Sequence, residues 1–177
     1  MSTTKEKVKN AIRDIPNFPK EGVIFKDITP IMQNPQLCAE IVEEIKRSVK
    51  DLNIQGVAGI ESRGFLIGVP LAMALNVPFI LIRKKGKLPY KTVSYKYDLE
   101  YGSAEIEMHT DAVFKNQNIL LHDDLLATGG SASAAAELIK MQGANLTAIN
   151  FLVELSFLKG RGIVDKYSEN ISSLVTY

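Results

Sequence analysis

ILLHDDLLATGGS, residues 119–131, is the stretch whose reading decides the fold. Its first three residues form a short apolar run suited to a strand, and residues 131–141 after it suit a helix. Between them, Ala127-Thr128-Gly129-Gly130-Ser131 brings together the unpaired amides of a helix start, two side-chain hydroxyls and the positive end of the helix dipole. Such a turn cradles an anion, above all a phosphate. Gly129 and Gly130 allow a tight turn and a close approach that a side chain would obstruct. Neither standard nucleotide motif fits, because the chain has here no Gly-Lys-Ser/Thr and no GxGxxG. Asp123 and Asp124 set the stretch apart. Acidic groups beside a phosphate site must serve something other than phosphate: hydroxyls, a metal, or positive charge that develops during a reaction.

Outward from this loop, the pattern repeats. Residues 4–13 are predicted helical, with Val8 and Ile12 on one face, and Ile15-Pro16-Asn17-Phe18-Pro19 cannot continue that helix because proline lacks an amide donor. A proline-punctuated loop is expected to about Asn34. Residues 35–50 predict an amphipathic helix, with Pro35 in the first turn and Leu37, Ile41, Ile45 and Val49 spaced by four. Strand-then-helix units follow: strand 55–60 and helix 64–75, strand 78–82, strand 119–121 and helix 131–141, then strand 146–153. Strands separated by helices imply an α/β fold, a mostly parallel central sheet flanked by helices, with ligands outside the carboxyl ends of the strands. The loops after Ile60, Ile82 and Leu121 are therefore where chemistry is expected. Residues 83–107 break the pattern: RKKGKLP is basic, and the rest alternates in a way that suits two antiparallel strands. Excursions of this length are usually lids or disordered.

Composition narrows the function classes. A chain of 177 residues, 46% hydrophobic, buries its own core, and one domain over 1–177 is expected. Lys and Arg number 21 against 20 Asp and Glu, so no overall field favours nucleic acid or anionic lipid, and any anion site is local. The single Cys38 forms no internal disulfide, no secretory leader is visible, and no apolar run approaches the roughly 20 residues of a membrane helix. A cytoplasmic location is expected.

Two further segments suit anions. Glu61-Ser62-Arg63-Gly64 follows a strand end and opens a helix, so its amides and the Arg63 guanidinium can hold a second anion near the first. Arg83, Lys84, Lys85 and Lys87 lie just past the next strand, where fixed positive charge could neutralise a departing diphosphate. His109 and His122 are read as structural, since His122 alternates away from Asp123 on a strand.

An apolar run, two acidic residues, then ATGG and a hydroxyl residue is the signature of the type I phosphoribosyltransferases, and the chain resembles that family. FPKEGVIFKDITP, GIESRGF, IRKKGKLP and LEYG carry the resemblance from about Ile15 to Arg161 and toward the branch that uses adenine. The resemblance implies transfer from phosphoribosyl pyrophosphate to adenine, giving AMP and pyrophosphate in purine salvage, with Mg2+ bound mainly through the substrate pyrophosphate. It implies a 5-phosphate held by Ala127, Thr128, Gly129, Gly130 and Ser131, and ribose hydroxyls held by Asp123 and Asp124, which also face the cationic sugar of the transition state. Ser131 keeps the hydroxyl of the threonine common at that position. Arg63, Lys84 and Lys87 are implied to hold pyrophosphate, behind a cis peptide between Glu61 and Ser62. Ile24, Phe25 and Lys26 are implied base contacts in a small N-terminal hood over 1–34, with Lys26 where many members have arginine. An antiparallel flexible lid over 84–107 is implied to bring Glu100, as the acid–base catalyst, and Tyr101 over the reacting centre. Arg83 is implied to reach the neighbouring subunit's site in a homodimer. Three rivals stay open at this level: the same chemistry on hypoxanthine, guanine or xanthine, a regulatory sensor that keeps the sugar-phosphate site without catalysis, and a ribose-phosphate-binding subunit whose partner does the catalysis.

Overall fold

Thr3 starts the first helix. Its side chain accepts from the Glu6 amide while Glu6 reaches back to the Thr3 amide, a capping box that opens α1 (Thr4–Ala11). The computed structural model describes residues 2–98 and 103–177. After α1 come β1 (Arg13–Pro16) and β2 (Ile24–Asp27), paired antiparallel with Ile15 opposite Phe25. They are followed by a single turn, α2 (Thr29–Met32). This hairpin replaces the loop expected over residues 15–34. Its strands are too short for a periodic signal, and Pro16 sits at a strand end, where its missing amide costs little. In α3 (Pro35–Ser48), the Asn34 side chain caps the Leu37 amide, and Leu37, Ile41, Val42 and Ile45 are buried.

The main sheet then assembles from β3 (Gly56–Ile60), β4 (Phe79–Lys84), β5 (Thr92–Asp98), β6 (Ser103–His109), β7 (Asn118–Leu126), β8 (Asn145–Glu154) and β9 (Ile171–Thr176). Between them lie α4 (Gly64–Leu75), α5 (Gly130–Met141) and the short α6 (Arg161–Val164). The order is β5-β6-β4-β3-β7-β8-β9: five strands are parallel, and β6 and β5 add antiparallel at one edge. The excursion is thus continuous with the sheet through Arg83 opposite Glu107. At the other edge β9 was not expected, because ISSLVT interrupts its apolar residues with serines. Those serines have polar partners, Ser172 facing Asn150 and Ser173 facing Glu154 and Arg161.

Period-two alternation feeds two cores, one on each face. Leu121 and Phe151 join the alanine-rich face of α5, whereas Leu120 and Leu152 join α3 and α4. Each fully buried large apolar side chain contributes roughly 1.5–3 kcal/mol. No helix among the described residues is long and apolar enough to cross a membrane.

His122 lies wholly inside this sheet. Asn150 donates its amide hydrogen to Ser172, so its carbonyl faces His122, whose Nδ1 donates to it at 3.0 Å, and Nε2 has no partner among the described residues. Burial lowers the imidazole pKa from 6.5 to about 4. An unfolded chain takes up this proton below about pH 6.5 and the folded chain does not until about pH 4, so stability falls as pH drops through that window. The loss is expected to be a few kcal/mol at most. Thermal unfolding across that pH range should be flatter in His122→Gln than in the parent.

Candidate active site

The strand that carries the acidic pair is longer than its apolar run. Because β7 continues to Leu126, Asp123 and Asp124 stand on its carboxyl end rather than in the loop. They line a cavity of about 270 Å³ together with Glu61, Ser62 and Arg63, which follow β3, and with residues 127–131. This volume suits a ribose phosphate more than a large ligand.

The loop is built to bring backbone to an anion. Gly129 has φ +85°, a left-handed conformation that favours glycine, and precedes α5 without any side-chain cap, leaving the first amides of the helix open to a ligand. Its own Cβ would lie 2.8 Å from the Gly160 carbonyl oxygen. Gly160 supports the loop from beneath: a Cβ there would overlap the Ala127 carbonyl oxygen and come 2.9 Å from the Gly129 nitrogen. Beside it, Arg161 binds the buried Glu154 carboxylate through both Nε and Nη2, and donates to the Ile171 carbonyl at 3.0 Å and to Ser173 at 3.1 Å. The 127–131 loop therefore rests on a glycine followed by an arginine that is pinned to β8 and β9.

Asp124 is buried and pairs with Arg63, Nε to Oδ2 3.0 Å. Asp123 accepts the Asp124 amide at 2.9 Å. Burial pushes both carboxyl groups up; the Asp124 charge pushes Asp123 further, well above its usual value, while Arg63 opposes the rise at Asp124. Such a pair gains most when positive charge arrives beside it. Gly64 makes this packing possible, since a Cβ there would lie 2.9 Å from Asp123 Oδ1. Removing the cation in Arg63→Met should raise the pair's pKa further. Carboxylates required in ionised form then protonate at higher pH, and the acid limb of the kcat/KM profile is expected to move upward in pH.

The Glu61–Ser62 peptide is cis. Glu61 does not simply solubilise a helix start. It accepts from Arg83 Nε and Nη2, both at 3.1 Å, and from the Lys84 amide at 3.1 Å, and the Arg83 hydrogen bond is the main cause of its lowered pKa. Arg83 in turn donates to the Lys87 carbonyl at 3.0 Å. Buried Glu107 accepts the Lys87 and Leu88 amides and the Thr92 hydroxyl. Burial raises its pKa, but donors from Leu88, Thr92 and Lys87 outweigh that and hold it below the ordinary carboxylate range. Two carboxylates thus shape the basic loop. Lys85 is taken by Glu105 at 3.3 Å, whereas the Lys84 and Lys87 amines make no hydrogen bond or ion pair among the described residues.

The N-terminal hairpin reaches the same place. Phe25 packs edge-on to Phe18 at 5.1 Å, and the Arg63 guanidinium lies 5.1 Å from its ring centre, so Phe25, Arg63 and Asp124 form one row. Ile24 is exposed. The Lys26 amine turns to Asp14 at 2.7 Å and lies over the Tyr177 ring at 3.8 Å, which leaves its backbone rather than its side chain for a ligand. Glu100 and Tyr101 lie outside the described residues. His109 stands against Tyr90 and does not line the cavity. Sequence reasoning missed Gly160, Glu107 and Tyr97, whose hydroxyl lies 3.2 Å from Ser131 Oγ. Only the glycine-rich LKGRG carried a usable signal, that of a close backbone approach.

Three comparisons place the chain among known proteins. A family model for the phosphoribosyl transferase domain matches residues 26–171. An adenine phosphoribosyltransferase of Cytophaga hutchinsonii is 49% identical over 181 residues, spanning 100% of each chain. The crystal structure of adenine phosphoribosyltransferase from Thermoanaerobacter pseudethanolicus is 44% identical with TM-score 0.94, covering 98% of this chain and 99% of that one. That from Saccharomyces cerevisiae, complexed with an imino-altritol bisphosphate and adenine, is 39% identical with TM-score 0.91, covering 97% and 98%.

Proposed function

The chain belongs to the adenine phosphoribosyltransferase family, and on that premise we propose how its own residues carry the reaction. The reaction transfers the 5-phosphoribosyl group of phosphoribosyl pyrophosphate to adenine, giving AMP and pyrophosphate in purine salvage. The observation that carries the assignment of roles is a single cavity joining an open helix start, two adjacent carboxylates and an arginine.

In this reading the amides and hydroxyls of residues 127–131 hold the 5-phosphate, and Asp123 and Asp124 hold the ribose hydroxyls. The bond from the anomeric carbon to pyrophosphate breaks before the bond to adenine N9 is complete. Positive charge therefore grows on the sugar beside the two carboxylates, which lowers the barrier because it exists only in the transition state. Arg63, Lys84 and Lys87 receive the pyrophosphate. Phe25 and Ile24 flank the flat base while backbone groups of the hairpin read its edge. Glu100 assists removal of the N9 proton, directly or from the N7 side, and Tyr101 closes with it to exclude water, which would hydrolyse the activated sugar.

The donor set fits Mg2+ carried in on the diphosphate. Glu61, Asp123 and Asp124 line the cavity and offer the hard oxygen donors that Mg2+ takes beside substrate oxygens and waters. When bound, Mg2+ supplies positive charge against the leaving group. A homodimer in the cytoplasm completes the proposal. Leu66, Val69 and Met73 on α4 and Leu81 on β4 are exposed apolar residues suited to a second copy, and Arg83, which shapes the basic loop at home, is the residue proposed to reach the partner's site.

The test offers adenine, hypoxanthine, guanine and xanthine separately, with Mg2+ and phosphoribosyl pyrophosphate, and measures nucleotide and pyrophosphate. AMP and pyrophosphate in equal amounts, from adenine alone, is expected. Product from another base would overturn the role given to Ile24 and Phe25, and no product from any base would overturn the catalytic reading.

A further inference from the structure

Tyr97 belongs to β5 at the sheet edge, yet its hydroxyl lies 3.2 Å from Ser131 Oγ in the phosphate loop. Its ring is half-buried against the α5 core, and a Cβ at Gly130 would lie 3.8 Å from it. The ring is therefore fixed by packing over the start of α5, and no step described above uses it. We propose that Tyr97 is a positioning residue for the 5-phosphate, one that donates to Ser131 and so turns the serine proton toward the anion.

Hydroxyl chemistry decides the direction. A serine hydroxyl has one proton to give and two lone pairs. If Ser131 donated to Tyr97, its lone pairs would face the phosphate and repel it. If Tyr97 donates, Ser131 keeps its own proton for a phosphate oxygen. The phenol is the more acidic of the two groups and the better donor, and the row from Tyr97 through Ser131 to phosphate is polarised in one sense, which strengthens each bond in it. Because the ring is held before the ligand arrives, little conformational freedom is lost on binding.

This inference rests on residues 127–131 being the 5-phosphate site, and the test separates the two ideas. Ribose 5-phosphate binding is measured by calorimetry in the parent, Tyr97→Phe, Ser131→Ala and the double variant, with the ligand-free thermal midpoint of each. Tyr97→Phe keeps the ring and is expected to weaken ribose 5-phosphate roughly three- to tenfold. In the Ser131→Ala background the same change is expected to do nothing, because the hydroxyl it serves is gone. An equal loss in both backgrounds, or none in the parent, would overturn the positioning role while leaving the phosphate loop intact. Ser131→Ala binding ribose 5-phosphate as the parent does would overturn the loop assignment and this role with it.

Discussion

With Asp123 and Asp124 both replaced by asparagine, kcat/KM for the transfer is expected to fall by about a thousandfold or more, on the scale of removing a preorganised charge from a developing transition state. Shape and most hydrogen-bonding capacity survive the change, so the loss reports charge. Stability is expected to move little or upward. Burial raises both carboxyl pKa values above their ordinary range, so the fold disfavours the ionised pair, and the cost grows as pH rises through the folded-state values. Asparagine removes that cost, although Arg63 loses its ionised partner. Steady-state kinetics and thermal unfolding at neutral pH, measured together, check both halves. A thousandfold loss with an unchanged midpoint is the expected pair of results. Near-parent activity would mean that the carboxylates are not where charge develops.

Gly160→Ala is expected to cost ribose 5-phosphate affinity on the order of a hundredfold, about 3 kcal/mol, and stability about 1–3 kcal/mol, as overpacking does. The three atoms nearest the added Cβ are all backbone of the 127–131 loop: the Ala127 carbonyl oxygen, the Thr128 carbonyl carbon and the Gly129 nitrogen, the last two at 2.9 Å. Backbone held by β7 on one side and α5 on the other cannot rotate away as a side chain would. Gly162, two residues on, supplies the control, since a Cβ there meets nothing within 4 Å. Gly162→Ala should bind ribose 5-phosphate as the parent does, and equal losses in both variants would show general damage to α6 instead.

Sequence carried this fold and site unevenly, for physical reasons. The placement of the acidic pair and the glycine turn in one cavity was legible because strand, carboxylates, glycines and helix start follow one another within residues 119–131. The parallel sheet was legible because β3, β7 and β8 are buried on both faces and read as apolar runs. The β1–β2 hairpin was not, because four-residue strands ended by proline carry no period. Neither was β9, whose Ser172 and Ser173 are explained only by Asn150, Glu154 and Arg161 across space. The same holds for the site. The role of the Glu61 side chain was not legible, because its partners Arg83 and Lys84 lie more than twenty residues later. Gly160 and Tyr97 act on a loop some thirty residues away from each. Lys26 is next to the proposed base contacts in sequence, yet its amine belongs to Asp14 and Tyr177.

All of these roles converge on the orientation of one nucleotide, so the most direct measurement is a crystal structure with AMP bound. The 5-phosphate is expected on the amides of residues 128–131 and the Thr128 and Ser131 hydroxyls, with the ribose 2′ and 3′ hydroxyls on Asp123 and Asp124 and adenine beside Phe25. A phosphate seated instead between Arg63 and Lys84, with the ribose turned away from the acidic pair, would contradict the central assignment.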